Sequence, residues 1–318
     1  MIPILVVAGP TAAGKTGLAI ELAAALEGQI ISADSRQVYR RLDVGTAKPT
    51  PEERRRVRHH LVGFLDPRLS YDAGSFAADA AAVIGKLAAS RKTPIICGGT
   101  GFYIEALLSP MFEQPPVDSR RREEVRLELK EALERQGAEA LHRKLAGLDP
   151  ASAGRLHPND AQRISRALEL YYLTGRTMTE LHAAAPGKPV PYRPFRVLLD
   201  PGREVIEENI ARRTERMLLG GGWLDEVEAL LAGGLPADAP GMQSLGYSEV
   251  AEHLAGRMGL DETLETIKRK TRQYAKRQRT WFARIPAGLH LTGIPGTIQE
   301  VLSKWRSHLE GLDSGKTG

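Results

Sequence analysis

Gly9-Pro10-Thr11-Ala12-Ala13-Gly14-Lys15-Thr16, directly behind the run Ile4-Leu5-Val6-Val7-Ala8, is a complete GxxxxGK[ST] phosphate loop. The run before it is short, apolar and partly β-branched, as a strand buried on both faces reads. Behind it, Leu18, Leu22, Ala25 and Leu26 fall at helical spacing. The glycines therefore sit at a strand-to-helix turn, the setting in which the motif has physical meaning. Loop N–H groups and the helix N-terminus converge on a phosphate there, and Lys15 adds a positive charge. Gly9, Thr11, Ala12, Ala13, Gly14, Lys15 and Thr16 are accordingly expected to hold a diphosphate or triphosphate, with the Thr16 hydroxyl ligating Mg²⁺.

Two further strand candidates end in polar turns. Residues 29–33 lead into Asp34-Ser35-Arg36-Gln37, and residues 93–97 lead into Gly98-Gly99-Thr100-Gly101. Residues 195–199 and 289–292 are later strands. Strands alternating with helical segments predict an α/β fold, a doubly wound parallel sheet of the P-loop NTPase type. Such sheets bind ligands beyond the carboxyl ends of their strands. The phosphate loop, Asp34 and Thr100 all fall at that position.

Between 115 and 194 the texture changes to helices without strands. Val125, Leu129 and Leu133 make one stripe, followed by Leu141 and Leu145. His157-Pro158-Asn159-Asp160 opens a second helix, with Ile164, Leu168 and Tyr171 behind it and Gly175 as its stop. Prolines flank the block: Pro110, Pro115 and Pro116 before it, Pro186, Pro189, Pro191 and Pro194 after it. The organisation predicted is an α/β core over 1–114 and 195–318, interrupted by an all-helical domain at 115–194. The tail from about Gly311 reads as disordered.

The 318 residues leave room for two domains or one with an insertion, and 42% hydrophobic content is ordinary for a chain with a real core. A net charge of +5 points mildly to an acidic partner. The single cysteine, Cys97, excludes an internal disulfide and a multi-cysteine zinc site. Its apolar neighbours Pro94, Ile95 and Ile96 make it a buried structural thiol. No stretch approaches a membrane-spanning length, and the first strand occupies the N-terminus at once. A cytoplasmic, monomeric enzyme with no membrane partner is expected.

Asp34 reads as a Mg²⁺ ligand, a general base or a turn former; Ser35, Arg36 and Gln37 beside it favour a base or acceptor. Thr100, in a turn whose missing side chains admit a ligand, is either a donor to a leaving oxygen or an N-cap. Ile206, Ile210, Arg213 and Met217 share one helix face, and an arginine on that stripe needs an anion: a diphosphate, or a carboxylate of the protein. Residues 261–285 read as one helix with Leu264, Ile267, Tyr274, Trp281 and Ile285 as its core stripe. From Lys268 to Arg284 that helix carries eight Lys or Arg residues and no acid. With Arg120, Arg121 and Arg122 and the segment Gln162-Arg163-Ile164-Ser165-Arg166, this suggests two basic surfaces that grip a nucleic-acid backbone.

At this point the chain resembles the tRNA dimethylallyltransferases (the bacterial IPP transferase family). The resemblance is carried by the phosphate loop, ADSRQVYR with DVGTAKP over 33–49, GGTGFY from Gly98 and HPNDAQRISRALELYYLTG from His157, and by QSLGYSE from Gln243 and TRQYAKRQRTWF from Thr271. It implies transfer of a dimethylallyl group from dimethylallyl diphosphate to the exocyclic N6 amine of the adenine just 3′ of a tRNA anticodon. The loop would then hold the donor's diphosphate with Mg²⁺. The resemblance makes Asp34 the general base, Thr100 an aid to departure at the bridging oxygen, and Arg213 the neutralising charge. It implies that Asp34, Ser35, Arg36, Gln37, Gln162, Arg163, Ile164, Ser165 and Arg166 touch the tRNA anticodon stem-loop, with Arg122 a further contact. Phe102 stands where the family pattern has leucine, and Asn209 where relatives carry another arginine. The zinc-finger extension of eukaryotic relatives is not expected. A P-loop small-molecule or nucleotide kinase is the alternative, but it has no use for the basic helix or the arginines of the insert.

Overall fold

The computed structural model describes residues 1–109, 118–184, 190–293 and 297–314. Contacts divide the chain into two units, Met1–Leu108 with Val190–Gly318, and Ser109–Pro189. The boundary 114/115 and Pro110, Pro115, Pro116, Pro186 and Pro189 lie outside the described residues.

The first unit holds six strands: β1 (Ile2–Ala8), β2 (Gln29–Ser32), β3 (His59–His60), β4 (Pro94–Gly98), β5 (Tyr192–Leu199) and β6 (Leu289–Leu291). Before the second unit it carries α1 (Lys15–Ala25), α2 (Pro51–Arg56), α3 (Ala73–Ala89) and α4 (Gly101–Leu108). Among its described residues the second unit holds α5 (Ser119–Leu148), α6 (Pro150–Ala153), α7 (Ala161–Thr174) and α8 (Met178–Ala184). The first unit then resumes with α9 (Arg203–Leu219), α10 (Trp223–Ala232), α11 (Tyr247–Leu254), α12 (Leu260–Phe282) and α13 (Thr297–Ser314).

The strands run parallel in the order β3-β2-β4-β1-β5-β6. The alternation of side chains along β1 explains why its sequence is continuously apolar. Ile4, Val6 and Ala8 enter one core with Phe76 and Ile84 of α3 and Ile104 of α4. Leu5 and Val7 enter another with Leu18 and Leu22 of α1 and Val301 and Trp305 of α13. The sheet is thus covered on both faces. A third cluster gathers Val38, Tyr39 and Leu42 around Trp223 and Tyr247 of α10 and α11.

Register then sets the site. Ser32 stands opposite Cys97, and Ala8 opposite Gly98. The residues that follow β1, β2 and β4 therefore emerge side by side: Gly9, Asp34 and Thr100.

Three expectations differ from the structure, and one strand has no sequence signal: β3, a two-residue edge strand, carries no pattern of its own. β5 begins at Tyr192 and includes Pro194, which the sequence reading left to a flank; β6 pairs only with Val197–Leu199, so β5 is an edge at its proline. Trp281 is 37% exposed, not core, because the buried face of α12 runs through Thr263, Ile267, Thr271, Ala275, Gln278 and Phe282. Gly311 to Ser314 close helix α13 instead of opening a disordered tail, and residues 315–318 lie outside the described residues.

In the helical unit, Val125, Leu129, Leu141 and Leu145 of α5 pack on Ile164, Ala167 and Leu168 of α7. The φ of 78° at Gly137 breaks α5 into two runs, a conformation open to glycine at no steric cost. Asp160 caps α7 by accepting from the Arg163 N–H at 3.2 Å, and Gly175 ends it at φ 67°. No helix among the described residues is long and apolar enough to cross a membrane.

Candidate active site

The phosphate loop is bound to the rest of the crevice by side chains from distant helices. Gly9 passes so near the end of β5 that a Cβ there would stand 2.2 Å from the Leu199 carbonyl oxygen. Lys15 Nζ donates to the Pro10 carbonyl at 2.6 Å. Burial pushes its ammonium down to about 8, against the opposing pull of Cys97 and Asp34. Cys97 lies beneath the loop, buried, with its thiol pushed up to about 11 by desolvation, which suits a structural role. The Thr11 N–H donates to Gln278 Oε1 at 2.8 Å, while Gln278 Nε2 donates to the Gly99 carbonyl at 2.8 Å. One buried amide of α12 thus ties the phosphate loop to the Gly-Gly-Thr turn.

Asp34 Oδ1 accepts from the N–H groups of Arg36 at 2.8 Å and Gln37 at 3.2 Å, so it does form a turn. Its Oδ2 takes no hydrogen bond among the described residues. Thr100 Oγ1 accepts from the Ser35 N–H at 3.1 Å, and the Tyr274 phenol on the wall of the crevice is pushed up to about 12, chiefly by burial. Arg213 Nη2 donates to Thr11 Oγ1 at 3.1 Å, and its buried Nε has no partner. Burial pulls the Arg213 guanidinium below its ordinary value, and the Asp34 carboxylate counters this. A buried guanidinium that lines the crevice beside a phosphate loop, with no carboxylate of the described residues in contact with it, suits an anion. Asn209 does not empty this helix face of charge: Arg212, Arg213 and Arg216 of α9 all line the crevice, while Asn209 Nδ2 donates to the Ala12 carbonyl at 3.0 Å.

Two cavities open here. The first, of about 380 Å³, lies against Gly14, Lys15, Thr16, Gly98 and Gly99. The second, of about 500 Å³, lies against Arg36, Gln243, Leu245, Lys270, Tyr274 and Arg277. They share Thr11, Asp34, Thr46, Ala47 and Arg213 as common wall. The loop that supplies Thr46 and Ala47 is held from both sides. Gln37 Nε2 donates to both their carbonyls, at 3.3 and 3.1 Å. Glu226 accepts from the N–H groups of Asp43 at 2.7 Å and Val44 at 2.8 Å, and from the Tyr247 hydroxyl at 2.5 Å.

The RNA-contact residues read from sequence fall into distinct circumstances. Arg36 is exposed, and Ser35 borders the second cavity. The Gln37 side chain is fully occupied inside the protein, since its Oε1 also accepts from Ser32 Oγ at 3.1 Å. In the helical unit Gln162 and Arg163 are exposed, and Arg122, Ser165 and Arg166 are half-buried. Ile164 is fully buried in the helical core, so its side chain offers nothing to a ligand; the position points inward on α7. The basic helix α12 is less free than its sequence suggests. Lys268 meets Glu215 at 2.7 Å, Lys270 meets Glu249, and Arg279 meets Asp200 at 2.8 Å, so other elements supply the missing acids.

Gln278 and Glu226 escaped the sequence reading. Gln278 was findable as a polar residue on the buried 263-267-271-275-278-282 spacing of α12; Glu226 gave no signal, because the backbone N–H groups it binds lie 181 to 183 residues away.

A parallel α/β sheet with a phosphate loop, an unpaired arginine and a carboxylate at one crevice defines a phosphate-loop protein that works on a phosphorylated ligand. The matching family is described as IPP transferase, over residues 37–285. The chain belongs to that family. It is 44% identical over 310 residues to the tRNA dimethylallyltransferase of Methylococcus capsulatus, covering 96% of this chain and 98% of that one. With the tRNA dimethylallyltransferase of Geobacter metallireducens it shares 43% over 300 residues, 94% and 95% of the two chains. Among solved structures, the tRNA isopentenylpyrophosphate transferase of Bacillus halodurans is 33% identical with a TM-score of 0.69, over 98% of this chain and 99% of that one. A eukaryotic dimethylallyltransferase caught acting on tRNA is 26% identical with a TM-score of 0.78, over 98% of this chain and 78% of that one.

Proposed function

We propose that this chain transfers a dimethylallyl group from dimethylallyl diphosphate to the N6 amine of the adenine immediately 3′ of a tRNA anticodon. The observation that carries the reading is the pair of cavities that share Asp34 and Arg213 as common wall. The donor's diphosphate lies in the first, against the phosphate loop. The adenine leaves its stack and enters the second.

Substitution at the allylic carbon forms the C–N bond and breaks the C–O bond, whose electron pair leaves with the diphosphate. Lys15 and the Arg213 guanidinium neutralise the charge that grows there. Thr100, held by the Ser35 N–H, steadies the bridging oxygen. Asp34 Oδ2 takes the proton released by the amine, while Oδ1 stays fixed by its two backbone donors. The aniline-like amine is a poor nucleophile, so its orientation by the wall of the second cavity matters as much as its deprotonation.

Mg²⁺ fits the residues present only through the substrate. Among the described residues no group of three or more His, Cys, Asp or Glu side chains is set to hold a metal. Thr16 lines the first cavity, and its hydroxyl would hold the ion beside the diphosphate, where Mg²⁺ would supply charge neutralisation of the leaving group. The exposed residues Gln162, Arg163 and the neighbouring Arg122, Ser165 and Arg166 form the contact of the helical domain with the anticodon stem-loop. The enzyme acts as a cytoplasmic monomer on this reading.

The test is incubation with Mg²⁺, labelled dimethylallyl diphosphate and an unmodified tRNA with adenine 3′ of its anticodon. Label in that adenine is the expected result. Phosphate transfer from ATP to a small acceptor, with no label in RNA, would return the chain to the kinases.

A further inference from the structure

The helical unit holds an acid that no step above uses. Glu169 of α7 is 5% exposed. Its Oε1 accepts from Arg126 Nε of α5 at 3.0 Å, and its Oε2 meets Arg166 Nη1 at 2.8 Å. A carboxylate withdrawn from water is costly unless its oxygens are taken, and here each takes one guanidinium. Neither arginine is exhausted by this. Each carries five N–H donors, and no other acceptor among the described residues claims them. Their side chains stay 48% and 31% exposed. Arg122 precedes Arg126 by one helical turn, on the same face of α5, and its buried Nε has no partner. Two guanidinium groups against one carboxylate leave the cluster cationic, and Arg122 adds a third positive charge one turn along α5.

We propose that Arg122, Arg126 and Arg166 form a phosphodiester-binding site for the RNA substrate, and that Glu169 is its positioning residue. This rests on the reading that the helical domain meets RNA. An arginine fixed before the RNA arrives loses less side-chain freedom on binding, and its free edge already presents the fork that suits phosphate. Glu169 supplies that fixation to two arginines from two helices at once. Arg126, absent from the contacts inferred from sequence, becomes an RNA ligand.

The experiment compares the intact enzyme with Glu169→Gln, Arg126→Gln and the double variant, reading kcat and KM for the anticodon stem-loop at several salt concentrations. Each single variant is expected to raise the RNA KM about tenfold, as loss of a charged contact does, with kcat and donor KM within about twofold. Arg126→Gln should also flatten the salt dependence by about one phosphate contact, and the double variant should fall well short of the product of the singles. RNA KM and salt slope unchanged in both singles would overturn the site. Should Glu169→Gln melt the domain, Arg126→Gln decides alone, because that side chain is half exposed. A wild-type protein that binds no stem-loop would overturn the parent reading as well, and the wild-type control alone tells the two failures apart.

Discussion

At the scale of single residues, the crevice contrasts two ionisable groups. Asp34 keeps one oxygen in a turn and leaves the other open, so its removal should harm proton transfer far more than binding. For Asp34→Asn we expect kcat to fall about 10²–10⁴-fold, the usual loss of a general base, with donor affinity near wild type. Single-turnover prenylation and donor titration measure the two; near-normal turnover would remove Asp34 from the chemistry. Lys15 is the reverse case. Its free-enzyme value of about 8 means the ammonium persists at lower pH and is lost above it. Donor affinity should therefore hold steady below pH 8 and weaken above it, by up to about tenfold per pH unit for a single linked proton. Calorimetric titration with a non-reactive donor analogue reads this directly, and an affinity that stays level to high pH would show that Lys15 does not carry the charge. Both residues were legible because their motifs state a local geometry. The state of each Asp34 oxygen was not, since it depends on which backbone amides the turn turns inward.

At the scale of elements, α12 shows how a pattern can be read correctly and still mislead. Its helical period and its eight cations are plain in the sequence. Which face is buried is not, because that face mixes Thr263, Thr271 and Gln278 with Ile267, Ala275 and Phe282, while Trp281 is left outside. The Thr263 and Thr271 hydroxyls donate back to the Gly259 and Ile267 carbonyls of their own helix, whereas the partners of Gln278 are the phosphate loop and the Gly99 turn. Gln278→Leu keeps the bulk and removes both bonds, leaving the Thr11 N–H and the Gly99 carbonyl unpaired at about 1–3 kcal/mol each. We expect a lower unfolding midpoint in urea and a matching loss in kcat/KM for the donor. Full donor efficiency in a destabilised protein would limit Gln278 to a structural strut. β5 teaches the same lesson in another form. A proline inside it reads as a break until β6 proves too short to pair beside it.

At the scale of the whole molecule, the alternation of strands and helices pointed to the parallel sheet, all but its two-residue edge strand β3; Ser109–Pro189 forms the second compact unit, and its described residues are helical. The third core was illegible. It joins Val38, Tyr39 and Leu42 to Trp223 and Tyr247, chain segments some two hundred residues apart, and no local spacing announces such a meeting. That core nonetheless shapes the crevice, because Glu226 and Tyr247 hold the loop that carries Thr46 and Ala47.

The two cavities have a consequence for how such an enzyme can diverge. Ile30, Pro49 and His59 border only the first cavity, and Met217, Trp223 and Leu245 only the second. On the proposed reading, taste for the diphosphate donor and taste for the RNA are written in separate hands. Either can drift without consulting the other, save at the five shared wall residues, where every change is answerable to both.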